Sequence, residues 1–309
     1  MNPEEEAQKL LEELGIITLP VIPKELCRRL EIHYAEEPLK GFDGFLIMDP
    51  ASGDSVIGVN ALIAEQGRKN FTGAHEIGHY ALDSLTQNAF QCSRETIESY
   101  NPNIEPIELR ANRFAAELLM PRFIYQPLVD KRDAGWEEIK ELSAMSQTTL
   151  TSTAIRFVDL TSEACCLVAS QAQRTAWFRP GKEFRPYIQV GPLARNTVAY
   201  AAFQGISPPD YFVEIKADNW LTGRGINASA EILEWSLPMN SYGQVLTLLY
   251  GEKGLAGWQD EGDEDEEDEE VEWEPPTFHK SKRTRQTDNE KTAIVLRAPA
   301  GQPVDAYRY

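Results

Sequence analysis

Residues 75–79 read His-Glu-Ile-Gly-His, and that run constrains this chain more tightly than any other part of it. Apolar residues at Phe71, Ala74, Ile77 (or Gly78) and Ala81 recur at helical spacing, so the run is expected on an α-helix. There, positions four apart lie on one face, about 6 Å from each other. Two imidazoles so placed can grip one ion at Zn–N distances of about 2 Å. Glu76 is turned about 100° around the axis from His75, so it need not bind the metal and can instead take a proton from a water beside it. The chain has only four histidines. Two of them at this spacing around a glutamate point to a metal site rather than to a helix that happens to carry surface imidazoles.

Two ligands do not make a site: catalytic zinc takes three from the protein and keeps one position open. A third histidine six residues past His79 is excluded, because Leu85 stands there. Asp83 continues the stripe, but at i+8 it lies about 12 Å from His75 along a straight helix. That suits a carboxylate at the helix end, orienting a ligand rather than binding the ion. The third donor must then come from another helix packed alongside. Residues 107–121, IELRANRFAAELLMP, supply one: Ala111, Phe114, Ala115, Leu118 and Leu119 share a face, and Pro121 stops it. Glu108 sits in its first turn, where a carboxylate also matches the positive end of the helix dipole, with Asn112 one turn on. Glu105 is the nearest rival and Glu117 a weaker one. Two neutral imidazoles with one ligating and one free carboxylate make a catalytic composition, since structural zinc sites are closed and rich in thiolate. The chemistry this fits is amide hydrolysis, with Glu76 taking a proton from the attacking water and returning it to the leaving amine. An edge strand beside the helix could hold an extended substrate; GFLIMD (44–49) and SVIGVN (55–60) are the candidates.

Around these helices the chain reads as α+β. Residues 3–15 and 23–31 are short helices, the second started by Pro23. The two apolar runs just named are joined by PASGD, a hairpin signal. Helices over 136–144 and 148–160 form a helix-turn-helix-like hairpin with AMSQ as its turn. After residue 163 the composition changes. EACCLVASQAQRTAWF reads as a hairpin, LARNTVAYAAFQG as a helix closed by Gly205, and YFVEIKA, AEILEWSL and QVLTLLYG as strands. The expected domains are 1–125 around the metal site, 126–162 for the hairpin, 163–258 for a second α+β unit and 259–309 for a tail.

The net charge of −19 belongs mostly to that tail: residues 260–274 hold 12 acidic side chains and no basic one, leaving −7 for the rest. So dense a block repels itself and buries no core, so it should be disordered. A small basic cluster, KSKRTR, follows it. Overall acidity argues against tight, sequence-independent DNA binding, which needs Lys and Arg to neutralise phosphates. The second helix of the hairpin would offer only Arg156 to a nucleic acid. No run approaches the roughly 18 consecutive apolar residues of a membrane span. The start is acidic and amphipathic, the reverse of a signal peptide, so a cytoplasmic location is expected. With it go reduced thiols at Cys27, Cys92, Cys165 and Cys166, read as small packing residues.

Taken together, RKNFTGAHEIGHYALD, ELRANRFAAELLMP and WEEIKELSAMSQTTLTSTAIRFVDL resemble the ImmA/IrrE metallo-endopeptidases of bacteria and mobile elements. The resemblance implies a zincin-like fold with zinc on His75, His79 and Glu108, and Glu76 as general base. It also implies a protein substrate, a helix-turn-helix transcriptional repressor cut in response to stress or DNA damage. A GAF-like sensor domain follows a similar protease within the family, and residues 163–258 occupy that place. The acidic tail departs from the family pattern.

Overall fold

The computed structural model of the chain describes residues 2–93, 106–222, 226 and 229–251; the tail expected to be disordered, and Glu105, lie outside the described residues. Helix α1 (Pro3–Glu13) begins at Asn2, whose side chain accepts a hydrogen bond from the Glu4 amide, and carries glutamates throughout its first turn. It buries Ala7 and Leu11. Helix α2 (Pro23–Arg29) follows, with proline at its first position as expected.

Four strands come next: β1 (His33–Glu37), β2 (Gly44–Met48), β3 (Ser55–Asn60) and, after the long helix α3 (Gln66–Asp83), β4 (Ala89–Cys92). The sheet order is β1-β3-β2-β4, with β1 parallel to β3 and the other pairs antiparallel. The β2–β3 hairpin is present as expected, but neither strand is an edge. That expectation is corrected: β1 and β4 flank them and take both edges. Their sequences, HYAEE and AFQC, are too short and too polar to announce strands, and their pairing comes from the apolar hairpin they line.

Helix α4 (Pro106–Leu119) lies against α3 and buries Ala111, Phe114, Ala115, Leu118 and Leu119. Pro121 ends it as expected, and also opens a helix the sequence did not suggest, α5 (Arg122–Val129), which has a proline inside it. The hairpin follows as α6 (Trp136–Ser146) and α7 (Leu150–Leu160), joined through Gln147 in the left-handed region. Helix α7 buries Thr153, Ala154, Phe157, Val158 and Leu160, and its Arg156 is paired with Glu117 and donates to the Met120 carbonyl. Its one basic side chain is spent inside the fold.

The C-terminal part holds β5 (Cys165–Gln171), β6 (Arg174–Pro180), β7 (Tyr187–Ile188), α8 (Val198–Phe203), β8 (Val213–Lys216), β9 (Leu221–Thr222), β10 (Glu231–Met239) and β11 (Gln244–Tyr250). Five of these strands form an antiparallel sheet in the order β6-β5-β11-β10-β8, and β7 pairs with β9. One face of the sheet, with Leu167 and Leu248, joins a hydrophobic cluster that continues through Phe157, Trp136 and Phe114 to Ile77 and Leu11. The other face packs Val168 and Leu249 against Trp220 and Ala199. The Trp136 indole donates to the Trp235 carbonyl at 2.9 Å across the boundary between helices and sheet. No helix among the described residues is long and apolar enough to cross a membrane.

The α3–α4 contact depends on Gly78. A Cβ there would lie 3.2 Å from Cα and O of Ala111 and from Cδ1 of Phe114, closer than side-chain carbons normally sit to a backbone. Alanine would gain about 1 kcal/mol of helix propensity, but overpacking two buried helices costs about 1–3 kcal/mol. Gly78→Ala is therefore expected to lower the urea midpoint at unchanged slope and to weaken metal uptake, because α4 must shift. A variant as stable as wild type would show that the helices have slack.

Candidate metal centre

His75 and His79 stand one turn apart on α3 with wholly buried side chains, and their Nε2 atoms face each other at 3.0 Å. Glu108, in the first turn of α4, brings Oε2 to 3.1 Å from His75 Nε2 and Oε1 to 3.6 Å from His79 Nε2. The far side of each ring is committed. His75 Nδ1 is 2.8 Å from Asn112 Oδ1, and His79 Nδ1 is 3.1 Å from Asp83 Oδ2. An amide oxygen and a carboxylate can only accept, so each Nδ1 carries the proton and each Nε2 keeps a lone pair. Asp83 closes α3 and is itself paired with Arg110 of α4. Phe90 of β4 stacks on the His79 ring, with centroids 4.3 Å apart.

The inward-facing groups are thus two lone pairs and a carboxylate, and none of the three donates. Such a cluster is repulsive unless a cation sits within it. A tetrahedral ion with ligand bonds of about 2.0–2.1 Å, zinc's values, needs donor atoms about 3.3 Å apart. The observed 3.0, 3.1 and 3.6 Å bracket that spacing. His75, His79 and Glu108 therefore fit a small divalent cation.

Glu76 points elsewhere. It is fully buried, and the group beside it that can donate is the Cys92 thiol. Burial raises its pKa to about 7, against the lowering effect of His75 and of the nearby Cys92 thiol. Strand β2 passes so close that a Cβ at Gly44 would lie 2.6 Å from Glu76 Oε1, so only glycine leaves the carboxylate its place. At Glu108 burial also pushes upward, but His75 and His79, when a proton rather than a metal ion sits on their Nε2 atoms, donate to it and hold its pKa down at about 2. One carboxylate remains an anion at neutral pH while the other is poised to exchange a proton.

The remaining acids separate cleanly. Asp83 orients His79 from the helix end, as its position implied. Glu117 accepts from Gln8 Nε2 at 2.9 Å and from the Arg122 amide at 2.7 Å and pairs with Arg156, so it holds α1, α4, α5 and α7 together. Cys92 is the residue that sequence reasoning missed. Read as a packing residue, it is buried at the end of β4 with Sγ 3.1 Å from His75 Nε2. One donor atom each from His75, His79, Cys92 and Glu108 all lie within 4.8 Å of one another. Burial, then the charges of Glu76 and Glu108, push the thiol far above its ordinary range. No sequence spacing ties it to the two helices; it arrives through the pairing of β4 with β2, which sets Cys92 opposite Gly44. Cys27, Cys165 and Cys166 are buried in the hydrophobic clusters as expected.

A search among curated proteins found no match. Among solved structures the chain is similar to a Mycobacterium tuberculosis transcriptional regulator, at 13% identity and a TM-score of 0.50, over 80% of this chain and 75% of the other. At that identity the likeness is one of fold, a mixed α+β arrangement. The family model of the IrrE N-terminal-like domain, a peptidase domain, matches residues 27–147. That stretch holds β1 to β4 and both helices of the candidate centre, and it is this part of the chain that is similar to the IrrE N-terminal-like domain.

Proposed function

We propose that this chain is a cytosolic zinc endopeptidase of zincin-like architecture, cutting a helix-turn-helix transcriptional repressor in a stress or mobile-element response. The observation that carries the reading is the pairing of two arrangements. Three acceptors converge with no donor among them, and a fully buried glutamate lies beside them. His75, His79 and Glu108 would hold zinc, with Asn112 and Asp83 keeping the two rings in the ligating tautomer. When bound, the ion would polarise the scissile carbonyl and ease deprotonation of the attacking water. Glu76 takes that proton on a carboxylate oxygen and hands it to the leaving amine nitrogen; a pKa near 7 suits both transfers. Phe90 and the apolar packing of α3 keep bulk water away from the rings.

The outer edge of β4 is unpaired among the described residues and ends beside the donor atoms, so an extended peptide adding there would run past them. The repressor as substrate rests on the family resemblance. In this reading the α6–α7 hairpin is a packing or docking element, with direct DNA contact disfavoured by the internal pairing of Arg156. The unit over 163–258 would serve as the sensor. A second reading, a regulatory binding protein with a structural metal site, is favoured by one observation: Cys92 supplies a fourth donor, as closed structural sites do.

Two measurements test this. Metal analysis of chelated and reloaded protein should give one zinc per chain for wild type and Glu76→Gln, and a clear loss for Glu108→Gln. Coexpression with helix-turn-helix repressors cloned from the same genome should give one that is truncated with wild type and intact with Glu76→Gln. Cutting by Glu76→Gln at the wild-type rate would refute the base assignment, and an uncut repressor with the wild-type protein would favour the regulatory reading.

The cost of holding Glu76 buried is separately measurable in metal-free protein. Its folded pKa of about 7 lies above the ordinary 4.5, so the folded state holds the proton more tightly than the unfolded chain does. Relative to Glu76→Gln, wild type should match the variant's stability at low pH and lose ground as pH rises from about 4.5 through about 7. The full loss is about 3 kcal/mol at roughly 1.4 kcal/mol per pKa unit. Urea unfolding of both proteins at pH 5 and pH 8 reads it, and parallel curves would refute it.

A further inference from the structure

Cys92 is left over by the mechanism just described, and its position is not that of a packing residue. Its Sγ lies on the same side of His75 Nε2 as Glu108, inside the 4.8 Å cluster of ligand atoms, and the side chain is fully buried. Two further observations bear on it. The 3.1 Å separation between Sγ and Nε2 is within about half an ångström of the edge, about 3.5 Å, of a tetrahedral set with bonds of about 2.0 Å to nitrogen and 2.3 Å to sulfur. Glu76 is buried beside the same thiol, close enough for the S–H to donate to its carboxylate.

We propose that Cys92 is the fourth ligand of the metal in the resting protein, its sulfur filling the position an attacking water must take, so that the chain is held in a closed, latent state. The inference rests on the metal-peptidase reading and adds a regulatory element to the same site. On coordination the S–H bond breaks, the sulfur's electron pair goes to the ion, and the proton passes to Glu76. The position beside Glu76 that a water would take is then filled. Opening reverses both changes: the sulfur leaves, Glu76 gives up the proton, and water enters. The strand makes this feasible. Cys92 is the last residue of β4, held there by the Asp43 amide donating to its carbonyl at 2.9 Å and by pairing with Gly44. Withdrawal therefore asks only that one edge-strand end peel away, leaving His75, His79 and Glu108 on their two helices.

The test uses the full chain, chelated and then loaded with one equivalent of cobalt(II), a spectroscopic stand-in for zinc. Wild type should show intense near-ultraviolet thiolate-to-cobalt absorption beside the weaker visible bands. Cys92→Ala should keep the visible bands and one cobalt per chain but lose the near-ultraviolet one, and Cys92→Ser, closer in size, covers the case in which alanine disturbs the fold. Acetohydroxamate, a small metal-binding anion, should bind cobalt-loaded Cys92→Ala at least about tenfold more tightly than wild type, about 1.4 kcal/mol. Identical near-ultraviolet spectra in wild type and both variants, or equal acetohydroxamate affinities, would overturn the proposal while leaving the metal site standing. Failure of every protein, wild type included, to take up cobalt would instead strike at the metal-peptidase reading.

Discussion

The structure turns on how closely α3 approaches α4 at Gly78. One helix contributes both imidazoles and Glu76, and the other contributes Glu108, Asn112 and Arg110. These groups meet only because the residue between the two histidines on the facing surface has no side chain. A larger residue there would open the contact by the few tenths of an ångström that separate a ligand set from a pair of neighbouring helices. The same closeness creates the electrostatic difficulty of the site. Two ring nitrogens and the Glu108 carboxylate, all acceptors, are buried against one another, and the outer ring bonds satisfy only the Nδ1 protons. A cation would resolve that conflict, and its binding would then be coupled to folding.

The helical hairpin and the C-terminal unit bear on the centre through the first turns of α3. A Cβ at Gly67 would lie 2.5 Å from the carbonyl carbon of Thr148, and Asn70 donates to the Gln147 carbonyl at 2.9 Å. The turn of the hairpin is therefore wedged against the metal-bearing helix. This explains why its second helix is buried along one face instead of being free to enter a groove. From the other unit, Tyr242 donates to Glu65, the residue just before α3, at 2.7 Å. Both later parts of the chain thus touch the helix that carries the two histidines.

What could be read from the sequence follows from where the signal is local. Helix α3 and helix α4 carry periodic apolar faces, the β2–β3 hairpin carries turn residues, and the β5–β6 hairpin turns at Ala172 and Gln173, within the QAQR stretch joining its two apolar runs. Each of these is specified within about 15 residues. Strands β1 and β4 are not: they are strands because a neighbour offers them hydrogen bonds, and that neighbour is distant in the chain. Helix α5 was hidden by its flanking and internal prolines. Within the site, the two histidines and Glu76 follow from one turn of helix, and Glu108 from the turn that also carries Asn112. Cys92 belongs to an edge strand, so nothing local announced it.

That late arrival sharpens the question of what kind of metal site this is. Donor composition alone would favour a closed structural centre once the thiol is counted. Glu76 argues otherwise. A structural site has no use for a fully buried carboxylate that is not a ligand, and in metal-free protein at neutral pH such a group costs about 3 kcal/mol by the usual conversion of its raised pKa. Replacing it with glutamine would remove that cost without disturbing the three ligands. An acid kept buried beside the donor set, with Gly44 leaving it room, is what the proposed proton-transfer role would require. In the proposed resting state the thiol and the buried acid would then be two aspects of one closed site, with the end of β4 dividing it from a working one.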